Sequence, residues 1–316
     1  MRIYENNKRF LSFNHHLRET FGEKVFKIAL DGGFTCPNRD GTVAVGGCTF
    51  CSAVGSGEFI QRRTEPIEAQ FAAFKQMMHQ KWSKGKYIAY FQAFTNTHAP
   101  VQVLRETFEP VLQEDKVVGL SIATRPDCLP DDVIAYLAEL HRRTFLWIEL
   151  GLQTIHDDTA QAFNRGYAFD VYLDRLAALR KHSIRVCTHV INGLPGETYE
   201  QMMETVRVIS SLDVQGVKLH LLHVIKDTPM AALCESGAFQ LLERNEYVSL
   251  ICDQLEILPP DMVIHRLTGD GAREQMIGPM WSLKKWETLN AIDDELARRD
   301  SYQGKFYSYG DKGCNL

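Results

Sequence analysis

Short apolar runs alternate with longer amphipathic stretches along residues 25 to 222. Continuous apolar runs are typical of strands buried on both faces, and apolar residues three or four positions apart indicate helices. Six runs predict strands, over Val25–Leu30, Tyr87–Phe94, Val117–Ala123, Phe145–Leu150, Ile184–Ile191 and Gly216–Leu222. A stretch with helical spacing follows the strands in turn, as in the helix predicted over Val101–Leu112. The alternation predicts an α/β fold, with a parallel sheet covered by helices.

The same pattern divides the chain into three segments. A lead-in helix is predicted within residues 1–24, a βα core over 25–222, and an α-rich C-terminal extension over 223–316 that caps the barrel or binds substrate. In the extension, Leu241–Leu258 and residues 281–299 predict helices, and Met262–Leu267 predicts a further strand. Six βα units are too few for a complete eight-unit barrel. Periodicity alone leaves open a doubly wound sheet or a partial barrel.

Composition excludes several classes of protein. The chain has 316 residues, 45% of them hydrophobic, which is enough for one large core or two modest ones. No apolar run is long enough to span a membrane, and the N-terminus lacks the apolar core of a signal peptide. Eight irregularly spaced cysteines without an export signal predict a cytoplasmic protein. The net charge of −5 gives no overall attraction for nucleic acid, so such a partner needs a local basic face.

A glycine-rich loop over Asp31–Phe59 contains three of the eight cysteines, Cys36, Cys48 and Cys51. A disulfide or a structural zinc site is one interpretation, although zinc normally takes four ligands in short-spaced pairs and the chain has no second C-x-x-C pair. Three thiolates suit a [4Fe–4S] cube that leaves one iron open for a ligand. Phe50 would then shield the cluster or flank that ligand.

The motif CPNRDGT, followed by GGCTFC, resembles the cluster motif of radical S-adenosylmethionine (SAM) enzymes, with eleven residues between the first two cysteines. This spacing resembles the branch akin to the elongator catalytic subunit and, more narrowly, the bacterial YtqA/YhcC-type family. The resemblance implies a partial (βα)6 parallel barrel and a [4Fe–4S] cluster on Cys36, Cys48 and Cys51. It also implies SAM on the open iron, a 5′-deoxyadenosyl radical that takes hydrogen from the substrate, and an electron donor such as flavodoxin or ferredoxin.

Polar side chains at the strand ends are candidates for SAM contacts, because ligands of parallel sheets gather at the carboxyl ends of strands. With Phe50, the candidates are Gln92, Asn96, Arg125, Glu149, Gln153 and Asn192. Arg125 suits a carboxylate, although a salt bridge within its loop is an alternative. Glu149 lies in an apolar strand and needs partners, which the ribose hydroxyls would supply. The acidic residue that radical SAM enzymes usually carry after the second strand is missing.

The substrate is indicated only by resemblance. Bacillus-type members look like tRNA-modifying enzymes, which implies conversion of 5-carboxymethylaminomethyluridine to 5-aminomethyluridine at the wobble position. Basic and aromatic segments are compatible with RNA, although they also suit a solvated helix surface: Arg62-Arg63, Lys81–Lys84, Arg142-Arg143, Lys284-Lys285 and Lys305–Tyr307. Lys218, His220 and His223 are further candidate substrate contacts. A radical SAM enzyme for a metabolite, lipid precursor or peptide, and a non-enzymatic metal-binding module, are the alternatives.

Overall fold

A computed structural model of the chain describes residues 4, 7–55, 60, 64–80 and 84–308. The chain divides into two compact units. The first unit comprises Leu17–Gly151 and Asn164–Val186, and the second comprises Met1–His16, Leu152–Phe163 and Cys187–Leu316. Two discontinuous units differ from the three consecutive segments expected from the sequence, and the boundaries at residues 24 and 222 stay a prediction.

Nineteen helices and strands are found in the described ranges. In chain order they are α1 (Phe13–Phe21), β1 (Val25–Leu30), α2 (Ile67–His79), β2 (Lys86–Phe91), α3 (Val101–Phe108), β3 (Val117–Thr124), α4 (Asp131–Arg143), β4 (Phe145–Gln153), α5 (Asp157–Ala162), α6 (Phe169–Lys181), β5 (Arg185–Asn192), α7 (Tyr199–Ser211), β6 (Gly216–Leu221), β7 (Val224–Ile225), α8 (Pro229–Glu235), α9 (Arg244–Ile257), β8 (Val263–Arg266), β9 (Met276–Gly278) and α10 (Lys285–Arg298).

Strands β1 to β4 of the first unit lie side by side in chain order, all parallel. Their register aligns Ala29, Tyr90, Ser121 and Trp147 across the four strands. Side chains alternate between the two faces of a strand. One face is apolar and fully buried, as at Ile28, Phe91, Ile122 and Ile148. The opposite face carries polar groups, Lys27, Tyr90, Ser121 and Glu149, and this is the face on which chemistry is expected.

In the second unit, β6 pairs in parallel with β5 on one side and with β8 on the other. Strands β7 and β9 form a small antiparallel pair. A capping box at Thr198 and Gln201 starts α7, because the Thr198 side chain accepts from the Gln201 N–H and the Gln201 side chain accepts from the Thr198 N–H. Met202 and Met203 of α7 then pack against Leu250 of α9. α9 also contacts β5, through the hydrogen bonds between Gln254 and Asn192.

The predicted strands β1 to β6 are confirmed within a few residues of their ends, and the strand predicted over Met262–Leu267 is confirmed as β8. Seven parallel strands, not six, are therefore present among the described residues. β2 ends earlier than predicted, because Phe94 adopts a left-handed conformation with φ 58°. α3 ends at Phe108, because Pro110 opens a 3-10 turn. No helix in the described ranges has both the length and the apolar character needed to cross a membrane.

Candidate active site in the cysteine loop

The cysteine loop begins where β1 ends and is described up to Gly55. Its three cysteines, Cys36, Cys48 and Cys51, are free thiols and half-buried. The loop closes on itself through backbone hydrogen bonds, from Arg39 N–H to Cys36 O at 2.8 Å and from Cys51 N–H to Cys48 O at 2.9 Å. Residues 56–59 of the predicted loop lie outside the described residues.

The structure requires a glycine at position 47, directly before Cys48. Its φ is +84°, a left-handed conformation that other residues adopt at a cost. A Cβ atom there would lie 2.9 Å from Nε of Arg39. The close approach lets Arg39 reach past the second cysteine, where its guanidinium donates to the carbonyl of Cys51 at 3.1 Å and to that of Ser52. Arg39 thereby fixes the two ends of the C-T-F-C unit relative to the start of the loop.

A second anchor comes from the segment Asn164-Arg165-Gly166, which follows α5. The Asn38 amide donates to the Asn164 carbonyl, and Asn164 Nδ2 donates to the Gly47 carbonyl at 2.9 Å. Asn38 is fully buried. Gly166 is needed here, because a Cβ atom would lie 2.7 Å from Oδ1 of Asn38. The NRG segment therefore holds the cysteine loop in place.

The electrostatics of the loop favour one thiolate. A hydrogen bond from the Cys51 thiol, helped by the positive charge of Arg125, the Asn38 amide and the charge of Arg39, lowers the pKa of Cys48 to about 7. Burial opposes this lowering. The same hydrogen bond, together with burial, raises the pKa of Cys51 well above its usual value. Metal ligation requires deprotonated thiols, and the lowered pKa favours the thiolate of Cys48 near neutral pH.

His98, which follows β2, is a site residue that the sequence interpretation missed. Its Nε2 lies 2.9 Å from Oδ2 of Asp40 in the cysteine loop, and its Nδ1 lies 3.8 Å from the Cys128 sulfur. The segment after β2 also donates from Thr95 N–H to Thr35 O at 3.1 Å. Phe94 packs under the Arg39 guanidinium, 5.4 Å from the ring centroid. This segment therefore supports the cysteine loop in addition to Asn164.

Buried oxygens test whether the loop fits a bound group. Oδ1 of Asn38, Oγ1 of Thr49 and Oδ1 of Asn96 are buried and have no hydrogen-bond partner among the described residues. Buried oxygens without partners are rare in proteins, and they suit a site that receives a further group. In the described ranges, no three metal-binding side chains come close enough to share one ion. A [4Fe–4S] cluster takes each thiolate on a different iron, so the donor set fits a cluster better than a zinc ion.

Arg125 does not present a free guanidinium to a cofactor carboxylate. Its Nε and a terminal nitrogen donate to the two oxygens of Asp127 at 2.9 and 2.6 Å. The guanidinium carbon also lies 4.9 Å from the centroid of the Tyr167 ring. The bidentate pair matches the alternative interpretation, a salt bridge within the loop. The positive charge still acts on the site, because it contributes to the lowered pKa of Cys48.

Glu149 finds its partners inside the protein. Its carboxylate is fully buried, accepts from Ser121 Oγ at 2.6 Å and forms an ion pair with Lys27. The Lys27 ammonium also lies 3.7 Å from the centroid of the Tyr90 ring. The prediction that the Glu149 carboxylate needs partners was correct. Lys27 and Ser121 are those partners, so the carboxylate is satisfied without a ribose. A ribose contact by Glu149 stays a prediction.

The other predicted contacts of the first unit are half-buried or buried close to the loop. Phe50 lies half-buried between Cys48 and Cys51, and Gln92 lies half-buried directly after β2. Asn96 is fully buried, and its amide nitrogen donates to the carbonyls of Ala93 and Ala123 at 3.1 and 2.9 Å. Only its carbonyl oxygen remains for a ligand, and the cofactor roles of these residues stay predictions.

Two predicted contacts, Gln153 and Asn192, belong to the second unit. Gln153 ends β4 half-buried, with a left-handed φ of 67°. The Asn192 amide nitrogen donates to Gln254 Oε1 at 2.9 Å, and Gln254 Nε2 donates back to Asn192 Oδ1 at 2.8 Å. Both side chains are fully buried. The geometry therefore gives the Asn192 side chain a structural contact with α9 and does not support the predicted cofactor contact.

A cavity of about 660 Å³ lies beside the start of the loop but does not include the cysteines. It is lined by Asp31, Glu65, Glu68 and Glu106 together with Phe34 and Phe94. Four carboxylates repel an anionic ligand. The cysteine loop, not this cavity, is the candidate active site.

Comparison with known protein families supports the cysteine loop as the candidate active site. The family model of the radical SAM superfamily matches residues 36–209, and that of the radical SAM C-terminal domain matches residues 214–298. The first match begins at Cys36 and covers more than half of the chain. The chain therefore belongs to the radical SAM superfamily, whose members bind a [4Fe–4S] cluster and SAM.

Two relatives match over most of their length. The chain is 63% identical to YtqA of Bacillus subtilis (strain 168) over 96% of this chain and 95% of the relative. It is 36% identical to YhcC of Escherichia coli (strain K12) over 89% of this chain and 90% of the relative. These matches confirm the resemblance to the YtqA/YhcC-type family.

Among solved structures, the archaeal Methanocaldococcus infernus Elp3 with a deleted N-terminus aligns with a TM-score of 0.67 at 15% identity. The alignment covers 88% of this chain but 64% of the Elp3 chain. At this identity the likeness concerns the fold alone. It confirms the predicted fold class, the α/β partial barrel of radical SAM type with C-terminal helices.

Proposed function

We propose that the protein is a cytoplasmic radical SAM enzyme that modifies the wobble uridine of tRNA, converting 5-carboxymethylaminomethyluridine to 5-aminomethyluridine. The observation that carries the proposal is the 63% identity to YtqA over 96% of the chain. That identity places the chain in the bacterial family whose motif resemblance implies this step. A cytoplasmic location agrees with free thiols at the site and with tRNA as the substrate.

The residues of the first unit would prepare the site for this chemistry. Cys36, Cys48 and Cys51 would hold the cluster, and when bound, the cluster and SAM supply hydrogen-atom abstraction from an unreactive carbon. Arg39 and Asn38 hold the two later cysteines in place, and Asn38 donates to Cys48 Sγ at 3.6 Å. Hydrogen bonds to the sulfur ligands of a cluster raise its reduction potential. Asn38 would therefore make the cluster easier to reduce. A protein such as flavodoxin or ferredoxin would supply that electron.

The second unit carries exposed aromatic rings beside basic side chains at two places, the start of α10 and the segment that follows the end of α10. The Trp286 ring is 75% exposed, and the side chain of neighbouring Lys284 is 67% exposed. Phe306, at 63% exposure, lies with its centroid 5.5 Å from the Lys305 ammonium. Exposed aromatic rings beside cations can stack on bases while the cations neutralise phosphates. Of the other predicted basic segments, Arg62-Arg63 and residues 81–83 lie outside the described residues.

Mass spectrometry of tRNA nucleosides from cells with and without the gene tests the proposal. We expect 5-carboxymethylaminomethyluridine to accumulate without the gene and its aminomethyl descendants to disappear. A plasmid carrying the gene should restore the profile, and a plasmid carrying the Cys48→Ala variant should not. An unchanged nucleoside profile would overturn the tRNA substrate while leaving the radical SAM class intact, and would favour a metabolite or peptide substrate.

A further inference from the structure

A second group of basic side chains lies on one face of the second unit's strands. The register pairs His189 of β5 with Lys218 of β6. The β6–β8 register shifts by one residue after Val217, which pairs Lys218 with Arg266 of β8 and leaves the Arg266 charge close enough to act on His220. His220 lies two residues after Lys218 and therefore points to the same face. The ring centroids of His189 and His220 lie 5.4 Å apart. Four basic side chains from three adjacent strands are thus brought together.

The opposite face of these strands is covered by helices. Val217 and Leu219, whose side chains alternate with Lys218, are fully buried. Asn192, on that same covered face, forms its amide pair with Gln254 of α9. The face with Lys218 is therefore the one directed away from α9. Lys218 is 4% exposed, and His189 and His220 are half-buried, so the group lies mostly below the protein surface.

His223, directly after β6, completes the group. Its Nε2 is buried and has no hydrogen-bond partner in the described part of the chain. The ring packs closely against the backbone of Gly269, where a Cβ atom would lie 2.7 Å from its Cε1. A Cβ atom on Gly271 would lie 3.4 Å from its Nδ1. Two glycines thus make room for an imidazole with an unused nitrogen, which indicates a ligand contact more than a packing role.

Burial and the neighbouring basic groups disfavour protonation of the imidazoles in the group. Burial, and then the proximity of His189, Arg266, Lys218 and His223, lower the pKa of His220 well below its usual value. Burial also lowers the pKa of His223 to about 4, and Asp270 opposes this effect. Asp270 itself pairs with Arg266 at 3.4 Å and with Lys285 at 2.7 Å, so its charge is shared between two cations. Basic groups held this close are stabilised by an anion placed among them.

A metal site does not explain the group. Three imidazoles could in principle ligate a transition metal. However, no three histidine, cysteine or acidic side chains among the described residues are arranged to hold an ion. Lys218 and Arg266 also repel a cation and attract an oxyanion, to which an ammonium and a guanidinium can donate charge-assisted hydrogen bonds.

We propose that Lys218, Arg266, His189, His220 and His223 form an oxyanion subsite that receives the carboxylate of the substrate. The proposal rests on the proposed function, because the carboxymethylaminomethyl group carries a carboxylate and its aminomethyl product does not. The subsite would then distinguish substrate from product and favour release after the carboxymethyl group is lost. A phosphate group shares the same chemistry, and the experiment must separate the two sources.

The first arm of the test needs no RNA. The full chain with its cofactors, labelled with ¹³C at histidine, is titrated with acetate and with inorganic phosphate while imidazole resonances are recorded. We expect acetate to shift the resonances of His189, His220 and His223, and the Lys218→Met and Arg266→Gln variants to weaken that response about tenfold. The His182→Gln variant, which changes an exposed histidine, is the matched control and should respond as the parent does.

Two results of this arm would overturn the proposal. No response to either anion in the parent protein would exclude an oxyanion subsite. A response to phosphate but not to acetate would assign the group to a nucleic-acid phosphate. His220→Gln retains the volume of the side chain, and its far-UV circular dichroism and urea midpoint show whether a lost response reflects lost folding. A lost response with an unchanged midpoint supports the subsite.

The second arm links the subsite to the substrate. Affinities of the parent protein for 5-carboxymethylaminomethyluridine and 5-aminomethyluridine nucleosides are compared by calorimetry. We expect a preference of about tenfold for the carboxylated nucleoside, and loss of that preference in Lys218→Met. Equal affinities in the parent would overturn the carboxylate assignment. Binding of acetate without binding of either nucleoside would support the oxyanion subsite and count against the proposed tRNA function. Failure of the subsite proposal can therefore be distinguished from failure of the proposed function.

Discussion

Asn38 and Cys48 are in hydrogen-bond contact, with the amide nitrogen 3.6 Å from the sulfur. Asn38 is fully buried, and the same amide also donates to the Asn164 carbonyl. One side chain therefore both anchors the cysteine loop and acts on the electrostatics of a cluster ligand. Its contribution to the thiol can be measured on iron-free protein.

We expect the alkylation rate of Cys48 by iodoacetamide to rise as the pH passes through about 7, the value to which its pKa is lowered, and to level off above it. The Asn38→Ala variant should shift the midpoint to higher pH, because a donor to the thiolate is lost. Cys51→Ala should shift it further, because the Cys51 thiol contributes most to the lowering. Asn290→Ala, an exposed control, should leave the midpoint unchanged. A midpoint near that of a free thiol in the parent protein contradicts this account.

The three loop cysteines should each be necessary for the cluster. Cys36→Ala, Cys48→Ala and Cys51→Ala should each lose most of the bound iron and acid-labile sulfide, because two thiolates hold a cube weakly. Cys234→Ala, a free half-buried thiol of α8, is the control and should retain both. Iron and sulfide analysis, with the visible absorbance that dithionite bleaches, measures the result. Full iron content in any of the three variants would rule out the cluster assignment.

The ion pair of Lys27 with Glu149 should contribute strongly to stability. Lys27→Met leaves the fully buried Glu149 carboxylate without its cation, and we expect a loss of about 3 kcal/mol in the free energy of unfolding. Adding Glu149→Gln should recover part of that loss, since a neutral amide can still accept from Ser121. Lys86→Met removes a surface ion pair with Glu23, at 3.3 Å, and should lose less than about 1 kcal/mol. Urea unfolding measures all four proteins.

The double variant also separates the two roles of Glu149. If the stability of the double variant is recovered, its affinity for SAM can be measured on folded protein. That affinity then tests the predicted contact between Glu149 and the ribose. Weaker SAM binding at full cluster content supports that contact, and unchanged binding removes Glu149 from the cofactor site.

The paired amides of Asn192 and Gln254 should be structural. Asn192→Ala or Gln254→Ala leaves one buried amide without its partner, and we expect each to lose about 2 kcal/mol in the free energy of unfolding. The double variant Asn192→Leu, Gln254→Met should lose less than the two single losses combined. Gln240→Ala, an exposed control, should have no effect. Loss of SAM affinity in Asn192→Ala at unchanged stability would restore the cofactor role.

Trp286 should contribute to binding of tRNA. Trp286→Ala should weaken binding about tenfold, corresponding to ~1.4 kcal/mol, because a stacking surface is lost. Leu233→Ala, which removes another exposed apolar side chain, should leave the affinity unchanged. Filter binding at several salt concentrations also gives the number of phosphates contacted. Equal affinity of the parent and Trp286→Ala proteins would exclude this surface.

The sequence predicted the strands well because each is a compact apolar run, and β1 matches its predicted range Val25–Leu30 without change. It did not predict α8, β7 or β9, which are short and depend on tertiary contacts. Lys27 and Glu149 are 122 positions apart, so only the register of the sheet brings them together. The amide pair of Asn192 with Gln254 was not predicted, because strands buried on both faces show no alternation and the pattern does not tell which face a side chain takes. The cofactor contact of Asn192 stays a prediction. The salt bridge of Arg125 could be predicted from the sequence, because its partner Asp127 is only two residues away.

The anchors of the cysteine loop run between protein groups: Asn38 to Asn164, Asn164 to Gly47, and Arg39 to Cys51 and Ser52. A zinc finger unfolds when its metal leaves, because the metal itself closes the fold. We therefore expect a loop secured by amides and a guanidinium to keep its shape when iron is removed. A chain that stays folded without its cluster could be loaded with iron and sulfide again after the cluster is lost, without new synthesis of its 316 residues.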